Sequence, residues 1–149
     1  MITYSCDRSQ VFDQYQSITG GWDKRDTISF QLADMDTVPY YNLYFNIRNN
    51  DDYPYSNLFI ISDIKFPNGK VITDTLEYMM AAPDGTWLGT GFGALKENKL
   101  FYKEKIRFTE EGTYEVQVRQ AMRKNGEINK INSLEGITDV GFRIEFSKP

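Results

Sequence analysis

Apolar side chains recur at every second residue through most of this chain, and no long stretch repeats them at helical spacing. Ile28, Phe30 and Leu32 alternate with Thr27, Ser29 and Gln31. Tyr41, Leu43, Phe45 and Ile47 share one face, opposite Asn42, Tyr44, Asn46 and Arg48. Leu58 to Phe66 is a richer apolar run suited to the centre of a sheet. Pro67-Asn68-Gly69-Lys70 reads as a hairpin turn, because Asn-Gly accepts positive φ, and Val71 to Met80 returns as the second strand. Leu100 to Phe108 resumes strand character with a disruption at Lys103–Lys105. Tyr114, Val116, Val118, Gln120 and Met122 then face one way, and Val140, Phe142, Ile144 and Phe146 make a last clean strand. Seven or eight strands with no crossover helix between them rule against βαβ construction. The expectation is an all-β fold, an antiparallel two-sheet β-sandwich of immunoglobulin-like or jelly-roll-like order. Patterning leaves the choice between those orders open.

The connecting segments carry other signals. Residues 1–26 look irregular, although Phe12 and Tyr15 suit one turn of helix or an edge strand. Gly20-Gly21 breaks the chain, and Trp22 reads as a plug over one end of the core or as an exposed platform. Ala82 to Ala94 sets Trp87, Leu88 and Phe92 among four glycines, which fits an ordered crossing loop or a ligand lip. Asn125-Gly126 suits a tight turn, and Glu127–Leu134 a short helical turn. The expected organisation is an N-terminal arm or membrane-tether spacer over 1–21, then a single β-sandwich domain over 22–149. A chain of this length buries about two-thirds of its unfolded surface, enough for a full sandwich core.

Composition narrows the chemistry. The 149 residues hold no histidine and one cysteine, Cys6. An intrachain disulfide, a His/Cys zinc site and histidine-dependent nucleophilic catalysis are therefore excluded. The net charge is −4 without a sustained basic block, so nucleic acid is not an expected partner. No apolar run reaches the length of a membrane-spanning helix. Met1 to Ser5 is too short for a signal peptide, so the chain is expected either to be intracellular or to lack most of its leader. Asp34 with Asp36, and Asp51 with Asp52, make calcium conceivable, but neither pair has EF-hand spacing and no metal or cofactor is assigned. Asp74 and Glu77 have an odd spacing that puts them on opposite faces of a strand, against a glycosidase pair. Tyr53, Tyr55 and Trp87 are candidates for stacking on a partner or a glycan, or else they seal the sandwich ends. Arg48 and Arg123 are candidates for polar recognition, or else they cap loops or pair with Asp51, Asp52 or Asp74.

Short motifs spaced along nearly the whole chain carry a resemblance. They include Gly21-Trp22-Asp23-Lys24, Asn46 to Phe59 with its Asn-Asn-Asp-Asp-Tyr-Pro-Tyr-Ser-Asn centre, and Asp74-Thr75-Leu76-Glu77-Tyr78-Met79. Gly85-Thr86-Trp87-Leu88-Gly89-Thr90-Gly91, Gln120-Ala121-Met122-Arg123 and Gly136-Ile137-Thr138-Asp139-Val140-Gly141 follow. In order and spacing the chain resembles the gliding-motility lipoprotein H family of Bacteroidetes. The resemblance implies a lipidated Cys6, tethering to the outer membrane from its periplasmic side, and work with other gliding-motility or cell-envelope proteins without an enzymatic step. A diacylated cysteine supplies the two chains that stable anchoring needs. Set beside it are a carbohydrate-binding sandwich module and, behind that, a carboxylate glycosidase.

Overall fold

The computed structural model describes residues 10–91, 93–123 and 131–148. Ten strands follow in order: β1 (Gln10–Ser17), β2 (Trp22–Asp23), β3 (Ile28–Leu32), β4 (Tyr41–Asn49), β5 (Asn57–Lys65), β6 (Val71–Met79), β7 (Lys96–Ile106), β8 (Tyr114–Gln120), β9 (Ser133–Leu134) and β10 (Ile137–Phe146). One four-stranded sheet has the order β1-β10-β4-β7, the other β3-β8-β5-β6, and β2 pairs with β9 across one end. Every pairing is antiparallel. The eight long strands alternate between early and late chain positions in both sheets, which is the double Greek key of a jelly roll. The immunoglobulin order is therefore the alternative that falls.

Alternation converts directly into the core. Leu43, Phe45 and Ile47 of β4 and Val140, Phe142 and Ile144 of β10 are fully buried against Phe30, Leu32, Leu58, Ile60, Val116 and Val118 of the facing sheet. Phe142 stands at the centre, with ring centroids 5.3 Å from Phe45, 5.9 Å from Phe30 and 6.2 Å from Phe12. Each such side chain removed from water contributes about 1.5–3 kcal/mol before entropy is counted. The hairpin at Pro67–Lys70 closes as expected, with the Phe66 amide donating to the Lys70 carbonyl at 2.8 Å. The disruption in β7 is a pair of register shifts against β4, where the Lys105 amide donates to the Asn42 side chain at 3.0 Å.

Two elements differ from the sequence reading. Gln10–Ser17, inside the segment read as irregular, is an edge strand along β10, which decides between the two options for Phe12 and Tyr15. Its inward positions after Phe12 are polar because they lie at the rim. There the Gln16 amide donates to the Ser29 carbonyl of the other sheet at 2.6 Å. Ser133–Leu134, expected in a helical turn, is strand β9 and bridges to Trp22 and Asp23. Residues 124–130, with the Asn125-Gly126 turn, lie outside the described residues, as does Phe92.

Strand direction fixes which loops share an end. Gln10 pairs with Glu145, Phe146 with Tyr41, and Tyr41 with Ile106. The start of β1, loop 33–40, hairpin 66–70, connection 107–113 and residues 147–148 therefore gather at one end. Rings seal it in a relay: Phe146–Tyr41 at 5.6 Å, Tyr41–Phe108 at 5.5 Å, Phe108–Tyr114 at 4.9 Å and Tyr114–Phe66 at 5.1 Å. Loops 50–56 and 80–95 and the turn at 135–136 lie at the opposite end.

Candidate functional site

The far end brings together three of the residues singled out in the sequence. Asn50 organises loop 50–56. Its amide donates to the Gly136 carbonyl at 2.9 Å, and its side-chain oxygen accepts the Asp52 amide at 2.9 Å, an Asx turn. Tyr53 is thereby turned inward, 3% exposed, with its hydroxyl donating to the Asn57 carbonyl. Burial, with a smaller effect of Tyr55, raises the pKa of that phenol. Tyr55 meets Tyr53 edge-on at 5.9 Å, and Trp87 lies 6.2 Å from it on another side. Loop 80–95 holds Trp87 through a bridge to Ala81 and through the Leu88 amide, which donates to the Met80 carbonyl at 2.9 Å. The indole N–H donates to the Asp51 carboxylate at 3.1 Å. Tyr53 is thus enclosed, whereas Tyr55 and Trp87 remain half-buried at the surface. Trp22, buried and donating from its indole N–H to the Asp26 carbonyl at 3.0 Å, is the plug.

Beside this cluster the crossing loop leaves apolar side chains in water. Leu88 and Met79, both more than half exposed, line a groove of about 590 Å³ together with Glu97 and Lys99 of β7, Arg143 of β10 and Tyr15 of β1, so it reaches across the β1 sheet. Arg123 follows β8 at the same end and is exposed.

Arg48, near the far end of β4, has partners the sequence did not indicate, and both of them line the same groove. Instead of Asp51, Asp52 or Asp74, its guanidinium lies 4.0 Å above the Tyr15 ring and 3.7 Å from the Glu97 carboxylate. Register explains the contact: Arg48 and Glu97 are cross-strand partners on the outer face of the β1 sheet. Tyr15 reaches them from the opposite edge by crossing Gly141, and its hydroxyl donates to Glu97. A Cβ at Gly141 would sit 2.8 Å from the Tyr15 ring, so only glycine admits this path. Burial and the hydrogen bond to Glu97 raise the Tyr15 pKa. Next along the same face, Arg143 bonds Asp13 at 3.2 Å and Glu145 at 2.6 Å, and Lys99 meets Glu145 at 2.6 Å. Burial alone would raise the Glu145 pKa, yet the bonds from Lys99 and Arg143 hold it below the usual range. Sequence reasoning missed this network. Its one local signal was a glycine in the middle of a clean strand.

Asp36, Asp51, Asp74 and Glu77, among the carboxylates weighed for other chemistry, have structural partners. Asp74 faces inward and accepts from the Tyr102 hydroxyl at 2.8 Å and pairs with Lys103 at 3.1 Å. Glu77 faces outward and accepts from Asn57 at 2.9 Å, so the two lie on opposite faces as their spacing required. Asp36 accepts the Val38 amide at 3.0 Å. Among the described residues no three metal-ligating side chains converge, and no helix is long and apolar enough to cross a membrane.

The molecule is thus an antiparallel jelly roll with charge-laced outer faces and with aromatic and apolar side chains collected on its loops. The chain belongs to the GldH lipoprotein family, whose model matches residues 10–144. It is 58% identical over 143 residues to the gliding motility lipoprotein GldH homolog of Christiangramia forsetii, covering 96% of this chain and 88% of that protein. It is 48% identical over 145 residues to gliding motility lipoprotein GldH of Flavobacterium johnsoniae, covering 97% and 90%. Among solved structures, that of the infectious bursal disease virus Gx strain aligns with 91% of this chain and 30% of that chain, at 13% identity and a TM-score of 0.37. Family membership makes the protein a noncatalytic cell-envelope lipoprotein with a role in gliding motility, exercised through contacts with other proteins.

Proposed function

We propose that the protein is held on the periplasmic face of the outer membrane by a lipidated Cys6 and presents its far end to other proteins of the motility apparatus. Cys6 lies outside the described residues. The observation that carries the reading is the pairing of Gln10 with Glu145, because it sets the chain's entry at the opposite end from Tyr55, Trp87, Leu88 and Arg123. With nine residues in β4, the two ends stand about 30 Å apart. A lipid anchor at one end leaves the other free for proteins. Because Gln10–Ser17 is part of a sheet, a tether at Cys6 is short, and the domain stays close to the membrane.

Half-exposed aromatics beside exposed Leu88 and Met79 have the composition of a protein-binding patch, apolar at the centre and polar at the rim. A carbohydrate platform would have to use Tyr55 and Trp87 without Tyr53, whose ring is enclosed. The test is site-specific photocrosslinking in the native host. A photoreactive residue replacing Leu88 should capture envelope proteins, whereas one replacing the exposed Thr73 of β6 should not. Equal capture at both positions, or none at Leu88, would count against the far end. Glycan-array binding abolished by Trp87→Ala would move the assignment to carbohydrate.

A further inference from the structure

We infer that the end of the sandwich beside the start of β1 seats on the lipid surface. Val38, Tyr40 and Phe146 enter the headgroup layer, and Lys105, Arg107 and Lys148 meet lipid phosphates. The inference rests on the anchored reading above and adds the orientation of the domain on the bilayer.

Val38 is 74% exposed, Tyr40 53% and Phe146 45%, all at one end of the fold. Their surroundings hold them there. Phe146 stacks on buried Tyr41 at 5.6 Å, and the Ser147 amide donates to the Tyr40 carbonyl at 2.9 Å, tying loop 33–40 to the end of β10. Tyr40 and Phe146 share with Lys105 and Lys148 a mostly apolar cleft of about 560 Å³. Arg107 lies 5.2 Å from the Tyr40 ring. Lys105 has a left-handed backbone at φ 53° within the β7 bulge, an unusual conformation for a residue with a side chain. Aromatic rings flanked by basic groups suit a membrane interface, where the rings occupy the headgroup level and the cations meet phosphates. Acidic residues stand at this end as well: Asp34 and Asp36 on the loop that carries Val38 and Tyr40, exposed Glu104 beside Lys105, and Glu110 and Glu111 on the connection that begins with Arg107.

The tether selects the lipid as occupant. Cys6 precedes Gln10 by four residues, a reach of at most about 14 Å when extended. Gln10 pairs with Glu145, next to Phe146. A lipid on Cys6 therefore holds Gln10 within that distance of the bilayer, and the cleft lies one to three strands further across the same sheet end, about 5–15 Å away. A second copy seated symmetrically on the same surface would instead bring two clusters of Lys105, Arg107 and Lys148 into one interface.

Cys6 is the only thiol in the chain, so the full polypeptide can be coupled to maleimide-headgroup lipid in vesicles of equimolar phosphatidylethanolamine and phosphatidylglycerol. Amide hydrogen exchange of the tethered and free protein is then compared. The expected result is slowed exchange in 37–41 and 145–148 on vesicles, with no change in 84–91. The slowing should be lost in a Val38→Ser, Tyr40→Ser, Phe146→Ser variant. It should also weaken in Lys105→Glu, Lys148→Glu, which leaves the ring relay untouched if the first variant unfolds. Slowing at 84–91, or no change anywhere, would overturn the seating. So would slowing in the patch of free protein that grows with concentration, because it would assign the patch to a second copy. Intact mass of the native protein tests the anchored reading separately, since the tether on vesicles is chemical.

Discussion

Gly136→Ala is the sharpest perturbation of the far end. Gly136 has φ 87°, and a Cβ there would lie 2.7 Å from the Tyr53 Cβ and closer still to the Tyr53 amide nitrogen and Cα. Two costs separate cleanly. A left-handed backbone with a side chain costs about 1–2 kcal/mol. Forcing the Tyr53 backbone away from the turn is overpacking against atoms that have no rotamer to yield, about 1–3 kcal/mol. It also strains the Asn50 amide bond to the Gly136 carbonyl. The sum, about 2–5 kcal/mol, lowers the melting temperature of a domain this size by roughly 5–15 °C. Gly85→Ala is the control: φ is 89°, but nothing lies within 4 Å of its Cβ, so it carries only the backbone cost. Urea midpoints of wild type and both variants, read by circular dichroism, measure the difference. If Gly136→Ala is no less stable than Gly85→Ala, the close approach of Tyr53 to the turn is refuted, and with it the enclosure of Tyr53.

Other outcomes follow from the same contacts. Arg143→Ala removes the ion pair of Asp13 and leaves Glu145 to Lys99 alone, and should cost about 1–3 kcal/mol by urea unfolding; a loss below that of a typical exposed ion pair would show the network to be incidental. Glu145 has a depressed folded pKa, so its stabilisation is complete above the ordinary glutamate value of 4.5 and is lost as pH falls through the folded value. Glu145→Gln should therefore flatten the acid limb of the stability profile, and an unchanged limb would exclude this group. Burial above all raises the pKa of Tyr15, Tyr53, Tyr78 and Tyr102 far beyond the ordinary phenol value of 10.0, so these four of the ten tyrosines should stay protonated in ultraviolet titration where exposed phenols ionise. All ten ionising together below the unfolding transition would contradict the packing. Acrylamide should quench half-buried Trp87 far more than Trp22, so Trp87→Phe should leave a fluorescence signal almost insensitive to the quencher.

What could be read from the chain was local. Strands β3 to β8 and β10 announce themselves because a half-buried strand must alternate, and each inward residue can be named without knowing its partner. The Asn68-Gly69 hairpin was legible for the same reason, since its turn chemistry lies within four residues. β1 was not legible. An edge strand at the rim can bury Phe12 while turning Gln14 and Gln16 toward the other sheet, so its polar pattern carries no period. β9 is two residues long, and nothing local distinguishes it from a turn. The carriers of the outer-face network were invisible as a group, because Tyr15, Arg48, Glu97 and Gly141 sit in four different strands.

The sequence by itself determined that this is an antiparallel sandwich without histidine chemistry, and, through motifs spaced along its length, which family it resembles. Tertiary structure decided the strand order, and hence that the fold is a jelly roll. It decided that Tyr53 is enclosed while Tyr55 and Trp87 reach the surface, that Arg48 lies over Tyr15, and that the entry of the chain and the aromatic cluster occupy opposite ends. The physical reason is one of range. Alternation and turn preference act over a few residues, whereas strand order and the meeting of loops depend on pairings between positions as far apart as Gln10 and Glu145.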